Sequence, residues 1–355
     1  MDFIHKIMNI IVPPIALIML VSFLPIYLLF KLLLSTIKSI FSEDVAGKVI
    51  LITGASSGIG EHLVYEYARR GARLALVARR ENRLQEVAST AYQLGSPEVI
   101  VIRADVSKVE DCNWFVDETV EHYGQYHLVN NAGVAPVCMF ESITDITNLA
   151  PAMDINFWGS VYATYFALPH LKKSKGKIIP IASAAAWLPA PRLGFYNASK
   201  AAVISFYETL RVEFGKDIGL TIVTPGLIES EMTQGKFLSK EVDMVLDPDM
   251  RDVLVSIMPI APVRECAKAI VDGACRGEKY LTQPAWVRAA FSWKAFCPEI
   301  LEWSNRLLLP RPGASERDTP SKKLLELTGL KKYIYPDTVQ FPEHKDTREN
   351  QRVHN

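Results

Sequence analysis

The strongest constraint on the fold is a glycine-rich turn, Gly54, Ala55, Ser56, Ser57, Gly58, Ile59 and Gly60. It lies between an apolar, β-branched run at 48–53 (KVILIT) and a segment at 59–70 that reads as a helix. This pattern predicts a strand feeding a helix. Glycines let the chain turn sharply and let its backbone approach a pyrophosphate at the positive end of the helix. A lone glycine pattern is weak evidence, but here a second apolar run at 73–78 follows at the distance one βαβ unit needs.

The end of that second strand bears on the cofactor. Sites for NAD place an acid there to hold the ribose 2′-hydroxyl, whereas a 2′-phosphate needs a cation. This chain has Ala78, Arg79 and Arg80 at the tip and no acid. Guanidiniums pair with phosphate through forked, charge-assisted bonds, so NADP(H) is the expected cofactor. The alternation continues with a third strand at 98–103 ending at Asp105 and Val106, a helix at 109–123, and a fourth strand at 127–130. That strand runs into Asn131, Ala132 and Gly133. Repeated βα units predict an α/β, doubly wound Rossmann fold with a central parallel sheet and ligands at the carboxyl ends of the strands.

Four residues downstream carry the expected chemistry. Asn156 lies in DINFWG on a helical stretch, and a run at 177–183 (KIIPIAS) reads as a strand delivering Ser183 to the same edge. Pro180 inside that run lacks the donor a central ladder wants, and the sequence offers no account of it. Tyr196 and Lys200 follow in YNASK at the head of a long helix, and a spacing of four puts them on one face. Carbonyl reduction needs a proton donor beside a hydride donor, and a phenol is a sluggish proton carrier near neutrality. A neighbouring ammonium is expected to lower its pKa. Tyr196 is then the general acid or base, and Lys200 supplies the field and bonds the nicotinamide ribose. Ser183 holds the substrate oxygen, and Asn156 supports a water that relays protons to Lys200. Singly, each has an ordinary structural reading; their joint placement after a nucleotide-binding turn is the signal.

Composition narrows the alternatives. Lysine plus arginine balances aspartate plus glutamate at 39 each, so no global field recruits nucleic acid. The cysteines, Cys112, Cys138, Cys266, Cys275 and Cys297, are odd in number, widely spaced and form no CxxC, which points to neither a disulfide framework nor a metal site.

Residues 7–30 carry no charge, a run long enough for a helix to cross a bilayer. The run is too long and lacks the cleavage site of a secretory signal, so it is expected to stay attached as an anchor. Pro13, Pro14 and Pro25 disfavour an uninterrupted helix and leave two geometries open, a span or a bent insertion into one lipid surface. Lys31 and Lys38 after the run against Lys6 before it weakly favour a cytosolic catalytic domain.

At this point the sequence resembles the short-chain dehydrogenase/reductases. The resemblance rests on TGASSGIG at 53–60, NNAG at 130–133, Asn156, Ser183 and YNASK at 196–200, and covers about 46–285. It implies a single, often dimeric Rossmann domain with the roles assigned above. It also implies that Asp105 and Val106 lie near the adenine, and that Thr224, Pro225 and Gly226 wrap the nicotinamide. Closer still, the proline-interrupted anchor, VARR, INFWGSVYAT, AAAWLPAPRLGFYNASK and VTPGLIESEMTQGKF are similar to the plant steroleosins, hydroxysteroid dehydrogenase-like proteins of seed oil bodies. That likeness implies a proline knob at Pro13, Pro14 and Pro25, NADP(H), a sterol-like substrate, and a lipid-droplet or endoplasmic reticulum surface.

The expected organisation is an anchor at 1–42, the Rossmann domain at 43–285, an extension at 286–342 and a disordered tail at 343–355. Val137, Met139, Phe140, Trp187, Leu188 and Pro189 flank the catalytic set as an apolar lining. In the extension, Trp286, Phe291, Trp293, Phe296 and Trp303 could cap the cleft, pack a dimer or rest on lipid, with burial as the default. The rival readings are a sterol-binding coat or sensor protein, and a reductase of non-steroid lipid carbonyls.

Overall fold

The computed structural model describes residues 2–40, 42–123, 126–310 and 312–340; the expected disordered tail lies outside them. The chain starts with helix α1 (Asp2–Ile40), which runs continuously through Pro13, Pro14 and Pro25. The expected interruption does not occur. Proline's fixed φ is compatible with a helix, but inside one each ring deletes an i→i−4 bond and crowds the carbonyl four residues back, at a cost of about 3 kcal/mol. Its stretch Phe3–Leu34, 32 residues, is long and apolar enough to cross a membrane, and none of it is buried against the rest of the chain.

The chain then enters the α/β core as β1 (Val49–Thr53), α2 (Gly58–Arg69), β2 (Arg73–Ala78), α3 (Glu81–Gln93), β3 (Val99–Arg103), α4 (Val109–Tyr123) and β4 (Tyr126–Asn130). Next come α5 (Ala150–Met153), a π turn (Asp154–Trp158), α6 (Gly159–Ser174), β5 (Lys177–Pro180), α7 (Gly194–Phe214), β6 (Gly219–Leu220) and β7 (Ile222–Pro225). The six-stranded sheet has the order β3-β2-β1-β4-β5-β6 and its pairings are parallel. Every residue of β1 is buried, as a strand covered on both faces must be. Ile50 and Ile52 pack in one layer with Leu63, Val64 and Ile270; Val49 and Leu51 face the other with Phe115, Ala163 and Tyr207. The strand order reverses between β1 and β4, which opens the crevice where such sheets bind ligands.

The strand expected at 177–183 ends earlier, at Pro180. Ile181 N donates to Asn130 O at 2.8 Å and Ala182 N to Val223 O at 2.8 Å. Ile181 therefore faces β4, and the donor missing at Pro180 would face the other side. There the neighbouring strand is itself broken between β6 and β7, so the proline interrupts little.

After β7 come a hairpin of β8 (Lys236–Leu238) and β9 (Met244–Leu246), α8 (Pro248–Val255), α9 (Val263–Cys275) and β10 (Tyr280–Gln283), which pairs parallel to β7. The extension forms α10 (Ala289–Phe296), α11 (Pro298–Asn305), α12 (Pro320–Thr328), α13 (Lys331–Ile334) and α14 (Asp337–Gln340). Its last part folds back on α8, where Leu325, Tyr335 and Val339 join Val255 and Ile260 in a small core.

Candidate active site

Ser183 lies in extended backbone just past β5 and caps the turn Ala184–Ala186, accepting from Ala185 N at 3.1 Å. Its hydroxyl donates to Pro225 O at 3.5 Å and stands near enough to the Tyr196 phenol to favour its ionised form. Tyr196 stands in the first turn of α7, and Lys200 one turn on. Lys200 is only 4% exposed; its Nζ donates to Ile181 O at 2.9 Å and lies 5.9 Å from the Tyr196 ring centre.

The acidities depart from expectation. Burial pushes Lys200 down to about 8. Burial also raises the Tyr196 phenol, and the nearby Ser183 hydroxyl opposes that shift without cancelling it. The expected lowering of Tyr196 by an ammonium is therefore not what the structure gives, because desolvation penalises the phenolate more strongly than its neighbours relieve it.

Asn156 occupies the π turn before α6 and is wholly buried. Its Oδ1 accepts from Val134 N at 2.8 Å, and its Nδ2 donates to Val134 O at 2.9 Å and Ser199 Oγ at 2.9 Å. The side chain is thus fixed between the turn after β4 and the head of α7. A Cβ added at Gly133 would stand 3.2 Å from Asn156 Oδ1 and 3.3 Å from Lys200 Nζ, so both polar groups converge on this glycine.

On the nucleotide side, Gly54 (φ +65°) and Gly58 (φ +58°) adopt the left-handed backbone that glycine tolerates. A Cβ at Gly60 would fall 2.2 Å from Gly54 O, so only glycine lets the turn close on α2. Ile59 packs at the edge of the core. Asn131 Nδ2 donates to Thr53 O and Gly54 O, both at 3.1 Å, and Ala132 N to Thr53 Oγ1 at 3.3 Å, which ties the end of β4 to the end of β1.

The two arginines separate. Arg80 turns to the glycine turn, donating to Ser56 Oγ at 3.2 Å and Ser57 Oγ at 2.7 Å. The Arg79 side chain, 58% exposed, reaches toward Asp105 at 3.9 Å. Asp105 accepts from Ser107 Oγ at 2.8 Å, and Val106 is buried. Thr224 Oγ1 bonds Thr282 Oγ1 at 2.8 Å, and Gly226 N donates to Gln283 O at 2.8 Å, so the 224–226 segment is set by β10. Sequence reasoning missed Glu231, which pairs with Arg80 at 2.8 Å across 151 positions; no local pattern could have revealed it.

A groove of about 250 Å³ is lined by Cys138, Met139, Phe140, Pro191, Arg192 and Phe195, the last of these next to Tyr196 in the chain. Met139 and Phe140 join it as expected, while Val137 packs instead with Phe237, Met250 and Val253. Trp187 meets Phe291 edge to face at 5.2 Å. The aromatics of the extension are not buried: Trp286, Phe291, Trp293, Phe296 and Trp303 are exposed. Arg192, buried, donates to Leu308 O and Glu316 O, both at 2.7 Å, and so ties the extension to the groove.

The donor set suits a dinucleotide. Ser57 starts α2 with no side-chain cap bond, so the first-turn N–H groups have no side-chain acceptor, and Arg80, Ser56 and Ser57 add cationic and hydroxyl donors.

The short chain dehydrogenase family model matches residues 48–241. The 11-beta-hydroxysteroid dehydrogenase A of Sesamum indicum is 57% identical over 98% of this chain and 100% of its own length. Among solved structures, an alcohol dehydrogenase from the archaeon Thermococcus sibiricus complexed with 5-hydroxy-NADP is 25% identical, with a TM-score of 0.54 over 66% of this chain and 95% of its own. A short chain dehydrogenase/reductase from Burkholderia phymatum in complex with NAD has a TM-score of 0.65 at 24% identity, over 72% of this chain and 96% of its own, a likeness of fold.

Proposed function

This chain belongs to the short-chain dehydrogenase family of oxidoreductases, and from that premise we propose that it interconverts hydroxyl and keto groups on a steroid-like substrate with NADP(H) at a lipid surface. The observation that carries the reading is the convergence of Ser183, just past β5, with Tyr196 at the head of α7 and Lys200 buried one helical turn on and held by Ile181 O. The similarity to a sesame protein named as a hydroxysteroid dehydrogenase supports the substrate class, and the largely apolar groove that includes Phe195, the neighbour of Tyr196 in the chain, is compatible with it. Arg80 at the glycine turn and the lack of an acid at the β2 tip support NADP(H). The apolar helix α1 supports attachment to a membrane or a lipid droplet.

When bound, the reduced nicotinamide supplies the hydride. Tyr196 gives its phenolic proton to the carbonyl oxygen as that oxygen gains charge, and in oxidation takes the alcohol proton back. Ser183 donates a hydrogen bond to the same oxygen. Lys200 holds positive charge beside the phenol and reaches the nicotinamide ribose. Asn156 supports the proton relay to Lys200. Gly54, Ser56, Ser57, Gly58, Ile59 and Gly60 would hold the pyrophosphate side of the cofactor, and Arg79 and Arg80 would supply charge to the 2′-phosphate. Asp105 and Val106 flank the adenine; Asn131, Ala132, Gly133, Pro225 and Gly226 line the nicotinamide half.

Purified full-length protein screened with sterols and fatty alcohols against NADP⁺ and NAD⁺ tests the reading. Turnover of sterols with NADP⁺ supports it. Turnover confined to fatty alcohols defeats the steroid assignment, and a preference for NAD⁺ defeats the cofactor assignment.

A further inference from the structure

We propose that Glu231 sets how strongly this protein accepts a 2′-phosphorylated cofactor, because its carboxylate takes the same face of Arg80 that a 2′-phosphate would use. This rests on the NADP(H) reading above. Arg80 Nη1 donates to Glu231 Oε1 at 2.8 Å and Nη2 to Oε2 at 3.1 Å, a forked pairing that engages both carboxylate oxygens. Ser57 Oγ donates to Oε2 at 3.1 Å, and Lys236 Nζ lies 3.4 Å from Oε1. Glu231 thereby places its charge at the N-terminus of α2, whose first residue follows Ser57, where a helix favours an anion. Burial raises the Glu231 carboxyl, but Arg80, Lys236 and Ser57 outweigh it and hold it below the usual range, so it is ionised at neutral pH.

A 2′-phosphate brings about two negative charges into this cluster. It must share Arg80 with Glu231 or displace it, and either arrangement is less favourable than phosphate on an unopposed guanidinium. NAD(H) lacks that phosphate and leaves the pair intact. Glu231 therefore acts on the difference between the two cofactors. The rival role is that Glu231 orients Arg80 for the phosphate, which has the opposite sign.

Fluorescence titration of full-length protein with NADPH and NADH separates them, using Glu231→Gln, Glu231→Asp and the double variant Arg80→Gln/Glu231→Gln. Glu231→Gln is expected to tighten NADPH about fivefold or more with NADH unchanged. Glu231→Asp, one methylene shorter, shifts the ratio the same way and serves if the first variant does not fold. The shift disappears when Arg80→Gln is the background. Weaker NADPH binding, or an equal change for both cofactors, overturns the proposal. The wild-type ratio tests the NADP(H) reading separately, since a protein that binds NADH more tightly defeats that reading while the shift on substitution can still be read.

Discussion

Lys200 is buried and Tyr196 partly so, and loss of water moves their acidities in opposite directions. Replacing Tyr196 with Phe removes the proton donor and keeps the ring. The expected result is a fall in kcat of about 10²–10⁴ with NADPH binding retained, read by steady-state kinetics and titration. Lys200 gives a pH-dependent test. Its folded pKa of about 8 lies below its ordinary value, so at higher pH the unfolded chain binds a proton that the folded chain does not. Stability rises with pH wherever the unfolded state holds more protons, so the charged-lysine penalty is full below about 8 and fades toward about 10.4. The Tm of wild type relative to Lys200→Met should therefore climb across that window, and a flat difference would sink the assignment. The same loss of charge predicts that carbonyl reduction declines as pH rises past about 8.

Among the elements, α1 and the π turn did most that the pattern of residues did not foretell. Helix α1 stays continuous through three prolines, and all its described side chains are exposed. A chain lacking residues 1–40 is expected to leave the pellet when sedimented with phospholipid vesicles while still reducing a water-soluble ketone. Pelleting of that shortened chain would show that another surface binds lipid. The junction after α1 is fixed: Glu43 N donates to Cys275 O at 3.1 Å, and the carboxylate pairs with Lys48 and Lys177 and accepts from His127 Nε2 at 3.2 Å. His127 Nδ1 accepts from Lys177 N at 2.8 Å, which leaves its proton on Nε2 to face Glu43. These contacts link the start of the sheet to the segment that follows α1.

At the scale of the whole molecule, the end of the extension lies as a strap across α8 and the segment that follows it. Arg251, 2% exposed, donates to Asp252 at 2.8 Å, and its guanidinium lies 5.8 Å from the Tyr335 ring centre. Lys331 bonds Asp252 at 2.7 Å, Tyr335 Oη donates to Ser256 O at 3.0 Å, and Ile260 N donates to Ile334 O at 2.9 Å. Replacing Arg251 removes its buried bonds to Asp252 and Val339 O and leaves Asp252 with Lys331 alone. Arg251→Met is expected to lower stability by about 3 kcal/mol and to speed limited proteolysis after 330, measured by denaturant melts and digestion. An unchanged melt would mean the strap is not coupled to α8.

The sequence by itself determined the βα rhythm, the glycine turn and the pairing of Tyr196 with Lys200 on one helix face, because each is written in local periodicity and turn chemistry. Strand 73–78 and helix 109–123 fall where the pattern put them. Only the tertiary structure decided that Arg80 rather than Arg79 meets the turn, that Glu231 opposes it, that Pro180 falls beside a broken strand, and that the phenol of Tyr196 is raised. Each of those depends on which distant residues arrive beside one another and how much water they exclude. Desolvation and long-range pairing are properties of the packed chain, and no window of sequence contains them.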